Sequence, residues 1–189
     1  RDGAGGNAAH RTTAQLHAGV TGRDAGAQAR RAGGSTRSNM LLIYGSTGYT
    51  YERIFGSYLL DAKGVEVEDP YIRSTHQLAN FIRFCELLVK VGTVREVRLI
   101  TGFDSEEQRK DAKEKLDNLA QSLLERDIKL VVAFKEKAHD REVRLDNGWR
   151  VKIGRGLDIY QPPENWFVIG ANDLERRPCL ETMVDVFRV

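Results

Sequence analysis

Residues 64–100 read GVEVEDPYIRSTHQLANFIRFCELLVKVGTVREVRLI. Val65 and Val67 alternate with Glu66 and Glu68, and a period of two predicts a strand that ends at Asp69-Pro70. Ser74 or Thr75 then offers a side-chain oxygen to the unpaired N–H groups that open a helix. Leu78, Phe81, Ile82, Cys85, Leu88 and Val89 recur at helical spacing and make one apolar stripe. Gly92 stops that helix, and Val97 and Leu99 mark a second strand.

The same alternation continues downstream. Asp104 with Glu107 three residues later resembles a capping box, and the helix it opens runs to about Arg126 with Leu116, Leu119, Leu123 and Leu124 on its apolar face. Ile128, Leu130, Val132 and Phe134 alternate as a third strand. Upstream, Tyr51, Ile54, Phe55, Tyr58 and Leu59 predict a short helix over 49–60. Val143 and Leu145, then Asp146-Asn147-Gly148, then Trp149, Val151 and Ile153 predict a β-hairpin, because Asn-Gly supplies the positive φ angles of a tight turn. Residues 166–169 and 183–187 are two further strand candidates. Strands alternating with helices predict an α/β domain with a mixed, mostly parallel sheet flanked by helices. No internal repeat is visible.

The 189 residues carry a net charge of +2, which hides an asymmetry. Residues 1–43 hold six Arg against Asp2 and Asp24, and the remainder holds 23 basic against 25 acidic residues. Any attraction of the folded part to phosphate must therefore come from local clustering. Within 1–40 there are eight Gly, nine Ala and no aromatic residue. Such a segment buries too little apolar surface to offset the entropy of ordering, so residues 1–43 are expected to be disordered and 44–189 to form the domain. The Arg- and Ala-rich, acid-poor character also fits a transit peptide, although the Gly content argues against the amphipathic helix that such a signal uses. Cys85 and Cys179 form no metal-ligand pattern, and no metal or cofactor is implied. No apolar run reaches the roughly 18 residues needed to span a bilayer.

Three groups of residues suggest chemistry. His139, Arg141 and Asp146 spell H-x-R-x-x-x-x-D, one residue type from the phospholipase D signature with Lys in the third place. In an extended segment His139 and Arg141 point the same way. The imidazole can then attack phosphorus while the cation stabilises the phosphoryl oxygens and Asp146 orients the site. Against catalysis, the cation is Arg, which forks onto phosphate where Lys acts as a point charge. The chain also holds one such motif, whereas that chemistry uses two histidines. Equally, Arg141 reads as a solvated strand residue and Asp146 as a turn residue.

The second group is the hairpin strip of Arg144, Arg150 and Lys152, followed by Arg155 in a Gly-flanked turn where backbone N–H groups can also approach an anion. It fits an anionic lipid head group or an ordinary solvated face that Glu142 partly neutralises. The third is Asp69-Pro70-Tyr71-Ile72-Arg73 at a strand end, where Arg73 and His76 can reach a phosphate at a helix N-terminus, or Asp69 and Arg73 pair to fix the turn.

Several stretches resemble one family when taken together, in order and at similar spacing from about Tyr49 to Phe187. They include residues 68–73, Thr75-His76-Gln77-Leu78, Arg83-Phe84-Cys85-Glu86, His139-Asp140-Arg141-Glu142, Asn147-Gly148-Trp149, residues 153–158, and Arg177-Pro178-Cys179. The chain resembles the phospholipase D-like C-terminal domains of MIT domain-containing proteins. That resemblance implies a phospholipase D-like fold, homodimerisation, and binding to acidic, phosphoinositide-containing membranes without hydrolysis. It also implies a role beside the ESCRT scission machinery in cytokinetic abscission, and a cytoplasmic, peripheral location on late endosomes or the midbody. ESCRT components follow less directly as partners, because residues 1–43 do not read as the MIT helical bundle. No nucleic acid partner is expected. The anion-binding set is then Arg141, Arg144, Arg150, Lys152, Arg155 and Arg73, with no catalytic residue. The alternative is a dimeric phosphodiesterase in which each chain supplies one His139. A third class is a protein-interaction module without membrane affinity.

Overall fold

A computed structural model describes residues 36–136 and 138–189. The described elements are β1 (Arg37–Leu42), α1 (Tyr51–Leu59), β2 (Gly64–Glu68), α2 (Thr75–Val91), β3 (Glu96–Thr101), α3 (Glu106–Leu124), β4 (Lys129–Phe134), β5 (Glu142–Leu145), β6 (Trp149–Ile153) and β7 (Thr182–Arg188). Residues 37–42, expected within a disordered segment, instead form β1. Its backbone is paired along its length with β7, from Arg37 opposite Phe187 to Leu42 opposite Thr182. The expectation for residues 1–35 falls outside the described residues.

The helix boundaries follow local chemistry. Thr50 caps α1, its hydroxyl accepting from the Arg53 N–H at 3.1 Å. Before α2, the Gln77 side-chain oxygen accepts from the Ser74 N–H at 3.3 Å and from its hydroxyl at 2.8 Å. Gly92 closes α2 in the left-handed conformation, φ 76°, and its N–H donates to the Leu88 carbonyl at 3.1 Å. Ser105, not Asp104, caps α3 by accepting from the Gln108 N–H at 3.1 Å. Asp104 is engaged elsewhere, paired with Arg73 at 2.8 Å.

One seven-stranded sheet runs in the order β1-β7-β6-β5-β2-β3-β4. Parallel pairing is confined to β2-β3 and β3-β4, the two neighbours joined by helical crossovers. The four pairings from β2 through β5, β6 and β7 to β1 are antiparallel. The sheet is thus mixed, but antiparallel pairs outnumber parallel ones, contrary to the mostly parallel expectation. The cause is the Asn147-Gly148 turn, with Gly148 at φ 94°, which folds β6 back on β5, while β5 itself runs back along β2. Residues 166–169, the other strand candidate, form turns rather than a strand.

Alternate sheet residues Val65, Val67, Val97, Leu99, Val143, Leu145, Val151, Ile153, Val184 and Val186 share one core with the apolar faces of the helices. Within it, Phe84 of α2 meets Tyr51 edge-on at 6.1 Å and Phe55 at 4.9 Å between ring centres. No helix among the described residues is long and apolar enough to cross a membrane.

Phe84 is fully buried, so Phe84→Ala removes its transfer energy and leaves a cavity between α1 and α2. Chemical denaturation is expected to show a loss of about 3–5 kcal/mol, a large share of the roughly 5–15 kcal/mol typical of a domain.

Candidate functional site

β2 delivers Asp69 to a place where three chain segments converge. The residue is 4% exposed. Its Oδ1 accepts from the Tyr71 N–H at 3.0 Å and lies 3.8 Å from Arg141 Nε. Burial pushes the Asp69 carboxyl above its ordinary pKa, opposed by the Tyr71 N–H and by the Arg141 guanidinium. Arg141 also donates to the Gly154 carbonyl at 3.0 Å and lies 4.0 Å over the Tyr71 ring. Its charge and fork are directed inward, so it does not present the open phosphate contact expected of it. The expected Asp69–Arg73 pair is absent, since Asp69 faces Arg141 and Arg73 faces Asp104.

The signature triad is not assembled. His139 lies exposed in the loop before β5 and makes no hydrogen bond or ion pair among the described residues. Asp146 sits beyond the other end of β5, roughly 20 Å along an extended chain from His139. There its Oδ1 accepts from the Lys63 N–H at 2.9 Å. It orients the β2 entry, not the imidazole.

On the sheet face away from the core, strand register interleaves the hairpin cations with carboxylates. Arg150 stands opposite Arg144, Arg144 opposite Glu66, and Glu66 opposite Arg98. Arg144 pairs with Glu66 at 2.6 Å, with Glu68 at 2.8 Å, and with Glu142. Burial alone would lower the Arg144 pKa, but the hydrogen bonds it donates to Glu68 and Glu66 and the charge of Glu142 hold it above its ordinary value. Arg150 and Lys152 lie 3.9 and 3.6 Å from Glu142, a buried carboxylate whose Oε2 has no hydrogen-bond donor among the described residues. A recess of about 300 Å³ at the end of this face is lined by Glu66, Glu96, Arg98, Arg144 and Asp146, with more carboxylates than cations. The strip expected to hold head groups is therefore largely neutralised by its own neighbours.

Arg155 is different. It helps line a cavity of about 500 Å³ with His76, Asn80, Arg83, Asp158, Tyr160, Trp166 and Arg177. His76, Asn80 and Arg83 come from one face of α2, at i, i+4 and i+7. Arg155 and Asp158 come from the turn after β6, and Arg177 from the segment before β7. Arg83, Arg155 and Arg177 form no ion pair among the described residues. Asp158, the carboxylate of the lining, lies 3.4 Å from His76 Nε2 and 3.4 Å from Asn80 Nδ2. Arg177 is 5% exposed; its Nη2 donates to the Gln161 carbonyl at 2.9 Å and its Nη1 to that of Ala171. With Nε also on Gln161, two of its five N–H bonds lack a protein acceptor among the described residues. Burial, then the neighbouring Arg83, lowers the Arg177 pKa, so the site gathers cations at an electrostatic cost. Such a chamber suits an anion.

A family model described as "Phospholipase D-like domain at C-terminus of MIT" matches residues 48–188. The chain belongs to this family. It is also 44% identical over 148 residues to mouse (Mus musculus) MIT domain-containing protein 1, an alignment that covers 75% of the chain and 58% of that relative. The chain thus spans under two thirds of that relative's length. Of the six expected anion-binding residues in this domain, Arg155 lines the cationic cavity, and Arg73, Arg141 and Arg144 are held in specific pairs. Arg83 and Arg177 were missed as site residues. The spacing of His76, Asn80 and Arg83 on a polar face of α2 was a signal that could have found the first; Arg177, far off in sequence, had none.

The cavity depends on Gly156. This residue has φ +61°, and a Cβ there would lie 1.8 Å from Asp69 Oδ2. Gly45 also has positive φ, 81°, but nothing lies within 4 Å of its would-be Cβ. Gly45→Ala is expected to cost about 1 kcal/mol from backbone strain. Gly156→Ala adds a clash with a pinned carboxylate and is expected to cost about 3 kcal/mol or more by chemical denaturation. Arg144→Met is expected to destabilise the fold by about 3 kcal/mol or more in the same assay, because buried Glu142 loses a close partner.

Proposed function

We propose that this domain is a non-hydrolytic, peripheral membrane-binding module that holds the phosphorylated head group of an acidic lipid in the cavity between α2 and the turn after β6. The observation that carries this reading is the convergence of Arg83, Arg155 and Arg177, none in an ion pair among the described residues, around about 500 Å³. That volume lies within the roughly 300–1,000 Å³ usual for small-ligand sites. Guanidinium forks match phosphate oxygens two at a time. Phosphoinositides are the favoured lipid class, because several phosphates on one ring can engage several cations at once.

The surroundings of His139 support a reading without turnover. That imidazole has no orienting carboxylate among the described residues, and Arg141 beside it is committed to Asp69 and Gly154. A dimeric phosphodiesterase would need two such imidazoles held about one phosphoryl group apart. Homodimerisation and service in ESCRT-linked cytokinesis are part of the same proposal and rest on the family relation alone.

Flotation with phosphatidylcholine vesicles carrying phosphatidylinositol bisphosphate tests the reading. The chain is expected to bind, and Arg83→Ala with Arg155→Ala is expected to weaken binding about tenfold or more, at about 1 kcal/mol per cation near a charged leaflet. Arg150→Ala and His139→Ala are expected to change it less than twofold. Unimpaired binding by the Arg83, Arg155 pair would remove the cavity from the account. Phosphate-ester cleavage lost in His139→Ala would replace it with catalysis.

A further inference from the structure

Beside the cationic cavity the chain raises four consecutive apolar residues, Trp166-Phe167-Val168-Ile169. Phe167 is 99% exposed, Ile169 96%, Trp166 48% and Val168 43%. A sequence of this kind usually turns its bulk inward, and here it does not. The segment is nonetheless held. The Phe167 N–H donates to Asn165 Oδ1 at 2.8 Å, and Asn172 donates to the Trp166 carbonyl at 3.2 Å. The Ala171 N–H donates to the Val168 carbonyl at 3.2 Å, and Gly170 turns the chain at φ 90°. Ala171, at the base, is 1% exposed and its carbonyl takes a hydrogen bond from Arg177. The apolar tip is therefore a fixed projection and not a collapsed side of the core.

Tip and cavity share a residue. Trp166 lines the cavity, and the Arg177 guanidinium carbon lies 5.4 Å from its ring centre. The apolar projection thus stands at the rim of the chamber whose guanidiniums lack carboxylate partners. Of the nearby acids, Asp158 in the cavity faces His76 and Asn80, Glu164 precedes the tip, and Asp173 is already paired with Arg176. A protein partner would present a groove to a convex tip, but nothing in a groove requires unpaired cations alongside. An acidic bilayer offers both surfaces in the right order, phosphate at the head-group level and hydrocarbon just beneath.

We infer that the 166–169 tip enters the acyl layer while the adjoining cavity holds a phosphorylated head group, with Trp166 at the boundary between them. This rests on the proposed membrane function and adds a depth and an orientation to it. Trp149 is the other tryptophan of the chain, so Trp149→Phe leaves Trp166 as the sole indole reporter.

With that variant of the whole chain, phosphatidylcholine vesicles carrying phosphatidylinositol bisphosphate and bromine-labelled acyl chains are expected to quench Trp166 fluorescence. Phe167→Asp with Ile169→Asp is expected to reduce vesicle affinity about tenfold or more, from the apolar area kept in water. Calorimetric binding of soluble inositol trisphosphate is expected to stay within twofold, because neither side chain lines the cavity. Both positions are exposed, and circular dichroism checks that the fold is retained. Vesicle binding with Trp166 unquenched and affinity unchanged in the double Asp variant overturns insertion while leaving head-group capture intact. Loss of self-association in that variant, again without quenching, also overturns it and makes the tip a contact between copies. Failure of both vesicles and inositol trisphosphate to bind removes the membrane function itself.

Discussion

The buried carboxylate of Asp69 is the constraint on which the functional end of the molecule depends. A charged group in that position needs donors on every side, and they come from chain segments far apart in sequence: Tyr71 just after β2, Arg141 before β5, and the turn after β6. Gly156 contributes by having no side chain, since the carboxylate fills the volume where a Cβ would stand. Neighbouring hydroxyls extend the same tie. Tyr51 donates to the Leu157 carbonyl at 2.5 Å, and Tyr160 donates to that of Tyr49 at 2.7 Å. The turn that bears Arg155 and Asp158 is thereby fixed relative to α1 and α2, and the cavity inherits its shape.

Much of the fold was legible because it is written in short periods. The β2-α2-β3 unit, the Asn-Gly hairpin and the stop at Gly92 all follow from residues within one or two turns of each other. Strand direction was less legible, because nothing local in β5 says that it returns along β2 rather than beside β4. β1 was hidden by its surroundings. It follows a Gly- and Ala-rich tract, and its own RSNMLL has an exposed half, so its ordering comes from β7, far away in sequence, with Ser38 opposite Val186.

The candidate site shows a similar division. Period-two logic correctly put Arg144, Arg150 and Lys152 on one face. It could not show that β2 would bring Glu66 and Glu68 against them, since partners across strands are set by topology. Charge in sequence is therefore a poor guide to potential in space. Arg83 and Arg177, apart by most of the domain, meet at one chamber, while the more conspicuous basic hairpin is balanced by its neighbours.

The place of β7 has a kinetic consequence. β7 is inserted between β6 and β1, so it completes two ladders at once. During synthesis β2, β3 and β4 can pair early through their short crossovers, whereas β1 must wait unpartnered until β7 has been made. Contacts of such high sequence separation close slowly. Until they do, two strand edges stay open, and both the assembly of this half of the sheet and its exposure to aggregation are timed by the seven-residue β7.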